Sequence, residues 1–308
     1  MENYLCVDIG GTSIKYAKFN QEGKRVGELK SCVTPITGGA NQIMPALIRI
    51  VEQEKTDVAG VCVASAGVCV ASAGVVDSVK GKIIYAGYTI PKYTGTEIKA
   101  ELERRFNLPC AVENDVNAAC LGEFWLGGAR GCGSVLCLTI GTGIGGAMLL
   151  NDKLINGSSF TACEVGYMHL SQGRFQDVAS TKALIKQVAS RKNIEENALN
   201  GRQVMEWAYS GDADVLAEIE QWIENLVEGV VNLIYIFNPE VIVLGGGLME
   251  EESFFKPRLK AAISTKLISP MFDTADITFA KLGNEAGMIG ALYHFLNQKE
   301  AEKDDDFK

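Results

Sequence analysis

Two similar six-residue segments occur in the chain, Leu5-Cys6-Val7-Asp8-Ile9-Gly10 and Leu136-Cys137-Leu138-Thr139-Ile140-Gly141. Each copy is an apolar run that ends in a glycine turn, and a second apolar run follows. This pattern is typical of a buried strand, a tight turn and an antiparallel strand. The repetition predicts an α/β protein with two similar domains, each of which presents one glycine loop to a shared cleft.

Hydrophobic periodicity and capping residues predict the other elements. Helices are expected over residues 41–54, 95–106, 114–125, 212–237, 250–265 and 286–297. In the longest of them, Asp212 is the expected N-cap, and Pro239 ends the helix. Strands are expected near residues 25–33, 58–64, 110–112, 241–244 and 276–280, and the charged C-terminal residues from 302 onward are expected to fray.

The composition is that of a soluble globular protein and argues against several functions. Of the 308 residues, 47% are hydrophobic and 22% are charged. The net charge of −9 and the lack of a basic block argue against nucleic-acid binding. The sequence has neither a secretory signal pattern nor an apolar run long enough for a membrane span, so we expect a cytoplasmic protein. The nine cysteines form no CxxC pair, and we expect free thiols.

A seven-residue segment is duplicated in tandem, as Gly60-Val61-Cys62-Val63-Ala64-Ser65-Ala66 and Gly67-Val68-Cys69-Val70-Ala71-Ser72-Ala73. This period is too short for a repeat architecture, whose units have about 20 residues or more. Only one copy can occupy a central strand, so we expect the other to be looped out. The second copy, which leads into Gly74, is expected to keep the strand register.

Three glycine loops each follow a predicted strand, at Gly10-Gly11-Thr12, Gly141-Thr142-Gly143 and Gly245-Gly246-Gly247. Glycine allows backbone N–H groups to approach phosphate oxygens closely, and threonine adds a hydroxyl donor. Asp8 precedes the first loop and is a candidate Mg²⁺ ligand, whereas Lys15 can offset phosphate charge. Three such loops together favour a nucleotide-binding protein.

The second loop also fits the GxGxxG fingerprint of dinucleotide-binding proteins, through Gly141, Gly143 and Gly146. That fingerprint requires a helix after the glycines, whereas residues 147–150 are apolar and predict a strand. We therefore give the NAD-binding interpretation little weight. A Walker P-loop is absent because no GK[ST] sequence follows any of the loops.

Two acidic positions are candidates for catalysis or binding. Asp115 lies at a predicted strand-to-helix junction, where it is either a helix cap or a general base for a substrate hydroxyl. Glu164 lies in an apolar, glycine-containing segment, where a carboxylate can accept hydrogen bonds from neighbouring sugar hydroxyls.

These motifs, in their order along the chain, resemble those of the ROK family of sugar kinases and sugar-responsive repressors. The resemblance rests on residues 8–15, 113–119, 141–146, 164–166, 239–247 and 286–291. It implies an actin/hexokinase-like (ribonuclease H-like) duplicated two-domain α/β fold with a central cleft. It also implies a small N-terminal domain of residues 1–117 plus about 287–308, and a large C-terminal domain of residues 118–286.

The resemblance further implies roles for individual residues. The residues that match ATP-binding positions are Gly10, Gly11, Thr12, Thr142, Gly143, Gly246 and Gly247. Asp115 matches the catalytic base, which also lies at the sugar. The residues that match other sugar-binding positions are Gly74, Asn114 and Glu164.

The chain departs from the family where many members carry a histidine and a cysteine-rich zinc motif. Tyr167 replaces the histidine, and residues 168–177 contain no cysteine, so no structural zinc is expected. Gln176 stands where many members have a second sugar-binding glutamate. We expect Tyr167 and Gln176 to lie at the sugar, with a packing role as the alternative for Tyr167.

The leading hypothesis is ATP- and Mg²⁺-dependent phosphorylation of a sugar hydroxyl, such as the 6-OH of a hexose, an N-acyl-hexosamine or a β-glucoside. Asp115 is the expected base, and the expected partners are the sugar and ATP. The alternative is a sugar-responsive transcriptional regulator of the same family that lacks its DNA-binding domain. Neither a nucleic acid nor a membrane is an expected partner, and a homodimer is expected.

Overall fold

The computed structural model describes residues 2–37, 39–56, 65–87 and 90–305. These residues divide into two compact units, each of which combines a mixed sheet with helices. Unit 1 comprises Met1–Gly127, Asn156–Ala162 and Leu282–Lys308, and unit 2 comprises Gly128–Ile155 and Cys163–Lys281. The predicted α/β class is confirmed.

The strands of unit 1 are β1 (Asn3–Ile9), β2 (Ser13–Asn20), β3 (Arg25–Val33), β4 (Ile36–Thr37), β5 (Ala40–Asn41), β6 (Ser65–Ser72), β7 (Val75–Asp77), β8 (Lys82–Tyr85) and β9 (Cys110–Asn114). Its helices are α1 (Ile43–Thr56), α2 (Ile98–Phe106), α3 (Asp115–Leu126) and, from the end of the chain, α9 (Ala286–Asp305). The main sheet has the order β3-β2-β1-β6-β9. Strands β1, β2 and β3 are antiparallel neighbours, whereas β6 and β9 run parallel to β1.

The strands of unit 2 are β10 (Ser134–Ile140), β11 (Ile144–Leu150), β12 (Lys153–Leu154), β13 (His169–Leu170), β14 (Gly173–Arg174), β15 (Val241–Gly245) and β16 (Asp276–Phe279). Its helices are α4 (Phe175–Ala179), α5 (Thr181–Lys192), α6 (Gly201–Tyr209), α7 (Ala213–Phe237) and α8 (Glu252–Lys266). Short 3₁₀ helices occur at Val165–Tyr167, Glu196–Ala198, Gly247–Glu250, Pro270–Phe272 and, in unit 1, Gly283–Glu285. The main sheet has the order β12-β11-β10-β15-β16.

The two main sheets share one topology, as the repeated segment predicted. In each, two antiparallel strands lie on one side of the first strand, and two parallel strands follow on the other. Thr139 therefore occupies in unit 2 the position that Asp8 occupies in unit 1. The strand predicted after Gly146 is present as β11, so the helix that a dinucleotide fingerprint requires is not formed there.

Strand β1 is a continuous apolar run because both faces of its sheet are covered. Leu5, Val7 and Ile9 pack in one core with α1 and α2. Tyr4 and Cys6 pack in another core, against α9. The middle of a strand that is buried on both faces is apolar, and Asp8 lies near the carboxyl end of β1.

The second copy of the duplicated segment occupies the central strand β6, as predicted. Val68 pairs with Leu5 of β1 and with Cys110 of β9, and the register continues to Ser72. A bulge lies at the start of β6, where the pairing steps from Ser65 to Val68. The strand predicted near 58–64, and with it most of the first copy, lies outside the described residues.

The long helix α7 begins and ends as the sequence predicted. The Asp212 side chain caps its first turn by accepting hydrogen bonds from the backbone N–H groups of Asp214 and Val215. Asn238 ends it in the left-handed conformation, directly before Pro239. Helix α9 is longer than predicted, because it continues to Asp305 rather than ending at 297. Within the described residues, none of the helices combines the length and the apolarity that a membrane span requires.

Helix α3 belongs to unit 1 because it packs closely against α9. The predicted division placed residues 118–286, and so most of α3, in the second domain. The contact depends on glycine: a Cβ at Gly290 would overlap the Ala118 carbonyl, and one at Gly122 would overlap the Ala286 carbonyl. The two helix backbones can approach this closely only because residues 122 and 290 have no side chain.

Gly290→Ala is expected to lower the free energy of unfolding by about 1–3 kcal/mol, the usual cost of overpacking a core. Helix propensity alone predicts the opposite sign, a gain of about 1 kcal/mol. Urea denaturation measures the difference. Gly133→Ala is the control, because its Cβ would meet only Glu240 Oε2 at 3.7 Å. A Gly290→Ala variant more stable than wild type would contradict the packing argument.

Candidate functional site

The first glycine loop joins β1 to β2 in unit 1. The Gly10 N–H donates to the Ser13 carbonyl at 3.0 Å, and this bond closes the turn. Thr34 then fixes the loop from outside: its Oγ1 donates to the Gly10 carbonyl at 2.7 Å, and its N–H donates to the Thr12 carbonyl at 3.0 Å. Gly11 and Thr12 are exposed, so the loop presents a held backbone and one hydroxyl to solvent.

Asp8 lies at the end of β1, opposite Lys15 of β2 and Ala71 of β6. Burial raises the pKa of its carboxyl to about 6; the neighbouring Asp115 raises it further, and Lys15 opposes the shift. A Cβ on Gly287 would lie 3.3 Å from the Asp8 carboxyl, so the first turn of α9 packs directly against it. Lys15 itself donates to Asn284 Oδ1 at 2.6 Å.

The next part of the site is the junction between β9 and α3. Asn114 is the N-cap of α3: its Oδ1 accepts from the N–H groups of Val116 at 2.9 Å and Asn117 at 3.0 Å. The Asn114 Nδ2 donates to Gly74 O at 2.9 Å and to Asp115 Oδ1 at 3.0 Å. The helix-cap interpretation of Asp115 is therefore wrong, since Asn114 fills that place.

Asp115 is the first residue of α3, and its Oδ1 also accepts from the Val116 N–H at 3.0 Å. Burial raises the pKa of its carboxyl, although the hydrogen bonds from the Val116 and Asp115 backbone and from Asn114 oppose the shift. A carboxyl with a raised pKa that is held by its neighbours has the properties of a general base. Its burial thus supports the catalytic interpretation.

Strand register explains why these residues meet. Asp8, Ala71 and Glu113 lie in one row across β1, β6 and β9, and Ile9, Ser72 and Asn114 lie in the next. The three strands are parallel, so their carboxyl ends share one edge of the sheet. The structure therefore brings together the predicted residues of unit 1, which are Asp8, Gly10, Gly11, Thr12, Gly74, Asn114 and Asp115.

Gly74 is the turn that follows β6. Its φ is +100°, and a Cβ there would lie 2.7 Å from the Tyr85 carbonyl, so only glycine fits. Because its carbonyl accepts the Asn114 Nδ2, this turn helps to orient the cap.

Sequence reasoning missed a buried pair beside this edge. The hydroxyls of Ser72 and Tyr93 are 2.8 Å apart, and both residues are fully buried. Burial raises the pKa of the Tyr93 phenol, and Asp115 adds to the shift, so the tyrosine remains neutral. Nothing local marks Tyr93 in the sequence, because its partners lie far from it along the chain.

In unit 2, two glycine loops lie at the ends of the adjacent parallel strands β10 and β15, where Thr139 pairs with Gly245. The Gly141 N–H donates to the Gly143 carbonyl at 2.9 Å, and Thr142 at the tip is exposed. Gly246 has a φ of +116°, and a Cβ there would overlap the Ile140 carbonyl. The two loops can therefore lie side by side only if residue 246 is glycine.

A groove of about 600 Å³ opens beside the Gly141 loop, and a second of about 490 Å³ opens beside Gly247. Thr181 lines both, and its Oγ1 donates to the Ile140 carbonyl at 3.0 Å. Each volume lies in the range of small-molecule sites. The structure thus places the loops that contain Thr142, Gly143, Gly246 and Gly247 side by side, and Thr142 and Gly247 each line a groove that has space for a ligand.

Of the other three predicted residues of unit 2, only Gln176 is shown to lie against the second glycine loop. Glu164 is exposed and directly precedes the 3₁₀ helix Val165–Tyr167. Tyr167 is 52% exposed, which excludes the alternative that its ring fills the core. The Gln176 carboxamide lies against the second glycine loop, since a Cβ on Gly143 would be 2.9 Å from its Oε1.

Comparisons with known proteins agree with this arrangement. The model of the ROK family matches residues 4–298. The chain is 44% identical to an uncharacterised protein of Clostridium perfringens, covering 95% of this chain and 97% of the other. It is 31% identical to a beta-glucoside kinase of Listeria innocua, with 95% and 97% covered. A ROK family glucokinase from Streptomyces griseus, solved with glucose and AMPPNP, has a TM-score of 0.81 at 26% identity, with 94% and 98% covered. The predicted actin/hexokinase-like fold is confirmed.

Asp8→Asn is expected to raise the free energy of unfolding at pH 8 by about 3 kcal/mol, the equivalent of the pKa shift from 3.8 to about 6. The folded protein binds this proton more tightly than the unfolded chain. The wild type therefore loses stability as the pH rises from about 4 to 6, and the variant does not. At pH 4 the gain is expected to vanish.

Urea denaturation of both proteins at pH 4, 6 and 8 measures this effect. Asp273→Asn, at an exposed position, is the control. A gain for Asp8→Asn that is equal at all three pH values would contradict the burial argument.

Proposed function

Because the chain belongs to the ROK family, we propose that it is an ATP-dependent sugar kinase. The observation that carries the proposal is the half-buried Asp115 carboxyl, which has a raised pKa and which Asn114 holds at the parallel edge of the unit 1 sheet. The relatives named as kinases are similar to nearly the whole chain, including both units. We further propose that it acts in the cytoplasm as a homodimer.

Asp115 is the proposed general base. Phosphoryl transfer requires a carboxylate that accepts the proton of the attacking hydroxyl, while the chemistry otherwise depends on positioning and charge stabilisation. The raised pKa of Asp115 brings its basicity closer to that needed near neutral pH. The hydrogen bonds from Asn114 and Val116 both reach Oδ1, and they fix the direction in which the carboxylate faces.

The two glycine loops of unit 2 and the grooves beside them are the proposed site of ATP. Backbone N–H groups and the exposed Thr142 hydroxyl are suitable donors to phosphate oxygens. Gly247 lines the second groove, and a Cβ there would meet no atom within 4 Å, so this side of the groove is open to an adenosine group. In unit 1, the loop Gly10-Gly11-Thr12 offers exposed backbone groups and the Thr12 hydroxyl, which are also suitable donors to a phosphate.

Asp8 fits the role of a Mg²⁺ ligand, directly or through water. Mg²⁺ in kinases is held by one or two carboxylates together with the substrate phosphates, and the exposed loop that follows Asp8 is suited to those phosphates. When bound, the ion supplies positive charge that stabilises the transferring phosphoryl group. Lys15 is held near this position by Asn284 and adds a further positive charge.

The proposed acceptor is a hydroxyl of a hexose, an N-acyl-hexosamine or a β-glucoside, most simply the 6-OH. Glu164 is exposed and suited to accept hydrogen bonds from two neighbouring hydroxyls, and Tyr167 offers a ring and a phenol beside it. The regulator alternative has less support, because it requires no base, and the named curated relatives include kinases.

Asp115→Asn is expected to lower kcat by about 10²–10⁴-fold, the usual contribution of a general base. The amide retains the shape and the contacts of Oδ1 but cannot accept the proton. The KM for ATP is expected to remain within about twofold, because Asp115 is not a proposed nucleotide contact. A coupled assay of ADP formation with the sugar that gives the highest turnover measures both.

Asp177→Asn is the matched control, since Asp177 is exposed and forms a surface ion pair with Arg174. It is expected to retain wild-type turnover. Undiminished turnover in Asp115→Asn would refute the assignment of the base.

A further inference from the structure

Glu113 is a carboxyl in unit 1 that the proposed mechanism does not use, although it directly precedes Asn114. It is 1% exposed, and burial raises the pKa of its side chain. A buried carboxyl is costly unless its oxygens have donors. The contacts of each oxygen therefore indicate why an acid stands here.

The Oε1 atom of Glu113 accepts two hydrogen bonds from the start of α3. The Asn114 N–H donates to it at 2.8 Å, and the Asn117 Nδ2 donates at 3.1 Å. These are the residues that form the cap: Asn114 Oδ1 binds the Asn117 N–H, and Asn114 Nδ2 binds Asp115 Oδ1. One oxygen thus ties the cap residue and the first turn of the helix to the end of β9.

The Oε2 atom of Glu113 faces α9 and has no hydrogen-bond partner among the described residues. The closest titratable group is His294, whose Nδ1 lies 3.9 Å away. Gln298 Nε2 lies 2.9 Å from His294 Nε2 and donates to the Ser78 carbonyl at 3.2 Å. Because an amide nitrogen only donates, His294 accepts at Nε2, is neutral, and carries its proton on Nδ1 toward Glu113.

Burial also lowers the pKa of His294 to about 4, in agreement with this neutral form. The group that faces Oε2 is therefore the neutral imidazole of His294, on α9. No cation of the described residues neutralises Glu113 at close range. A side-chain hydrogen bond with Ser78 also stabilises the carboxylate, and the two bonds at Oε1 are the contacts that join this buried acid to the start of α3.

We propose that Glu113 is a positioning residue for Asp115, acting through Asn114 and Asn117 as a hydrogen-bond acceptor at Oε1. The inference rests on the proposed kinase function, because Asp115 is the base in that function. A carboxylate displaced by about 1 Å from its productive position can lower a rate by about 100-fold. Glu113 has no contact with the proposed nucleotide loops, so it affects the base and leaves ATP binding unchanged.

The test compares Glu113→Gln with Glu113→Leu. Glutamine retains an oxygen acceptor in the same place, so its kcat is expected to lie within about threefold of wild type. Leucine has a similar volume but no acceptor, so its kcat is expected to fall by about 10–100-fold with an unchanged KM for ATP. This split between kcat and KM, together with rescue by glutamine, is not expected of a residue that only fills space.

Glu103→Leu is the matched control. Glu103 Oε1 accepts the Cys110 N–H at 3.0 Å, so it holds the opposite end of the same strand, away from Asp115. Its kcat is expected to remain at the wild-type value. Equal loss of kcat in Glu103→Leu and Glu113→Leu, or failure of Glu113→Gln to retain activity, would overturn the proposal.

If Glu113→Leu does not fold, Asn117→Ala tests the same contact from the helix side, and alanine favours the helix. It removes the Asn117 carboxamide, and with it the Nδ2 donor to Glu113 Oε1, and is expected to lower kcat by about 3–10-fold with the KM for ATP unchanged. An unchanged kcat would overturn the proposal.

If wild type phosphorylates no sugar, the proposed function fails, whereas the contact itself remains testable. Residue-resolved hydrogen exchange then reports whether the Asn114 amide exchanges faster in Asn117→Ala or Glu113→Leu than in Glu103→Leu. Unchanged exchange at Asn114 would contradict the positioning role in that case.

Discussion

The parallel pairing of β6 between β1 and β9 is the constraint on which unit 1 depends. It brings the carboxyl ends of three strands to one edge and places Asp8 and Glu113 in the same row. The next row contains Asn114, whose side chain caps α3 and binds Asp115. The candidate site is thus a consequence of register, because a shift of one residue would exchange the faces of every side chain.

Unit 2 uses the same sheet topology for a different purpose. Thr139 stands where Asp8 stands in unit 1, and no carboxylate follows at the strand ends that β10 and β15 share. Gly246 permits the closest approach of the two loops, and open grooves lie beside them. The same sheet topology therefore has carboxylates at its strand ends in unit 1 and glycines at its strand ends in unit 2.

The elements that depend on local sequence were predictable. The repeated segment predicted the two matching sheets. Asp212 and Pro239 predicted the ends of α7, because helix caps and helix-breaking residues act within a few residues. The second copy of the duplication was assigned to β6 from its connection to Gly74. The candidate residues of each unit were predicted from motifs, and the structure brings those of unit 1 to one sheet edge and the two glycine loops of unit 2 side by side.

The features that depend on distant partners were not predictable. Asp115 was considered as a helix cap, but Asn114 is the cap because its Oδ1 accepts the Val116 and Asn117 N–H groups, and its Nδ2 also binds the distant Gly74 carbonyl. The close contact of α3 with α9 requires Gly122 and Gly290, which lie far apart along the chain. Tyr93 belongs to no local motif, and the motif of residues 113–119 assigned no role to Glu113, so the significance of both appears only through their buried neighbours.

The central claim is that the protein transfers phosphate from ATP to a sugar hydroxyl. The most direct measurement is a coupled assay of ADP formation with Mg²⁺ and a panel of hexoses, N-acyl-hexosamines and β-glucosides, with ³¹P NMR of the product. The account predicts that ATP is consumed only when a sugar is present, and that one sugar phosphate ester forms for each ADP. A folded protein that binds ATP but forms no phosphate ester with any sugar of the panel would contradict it.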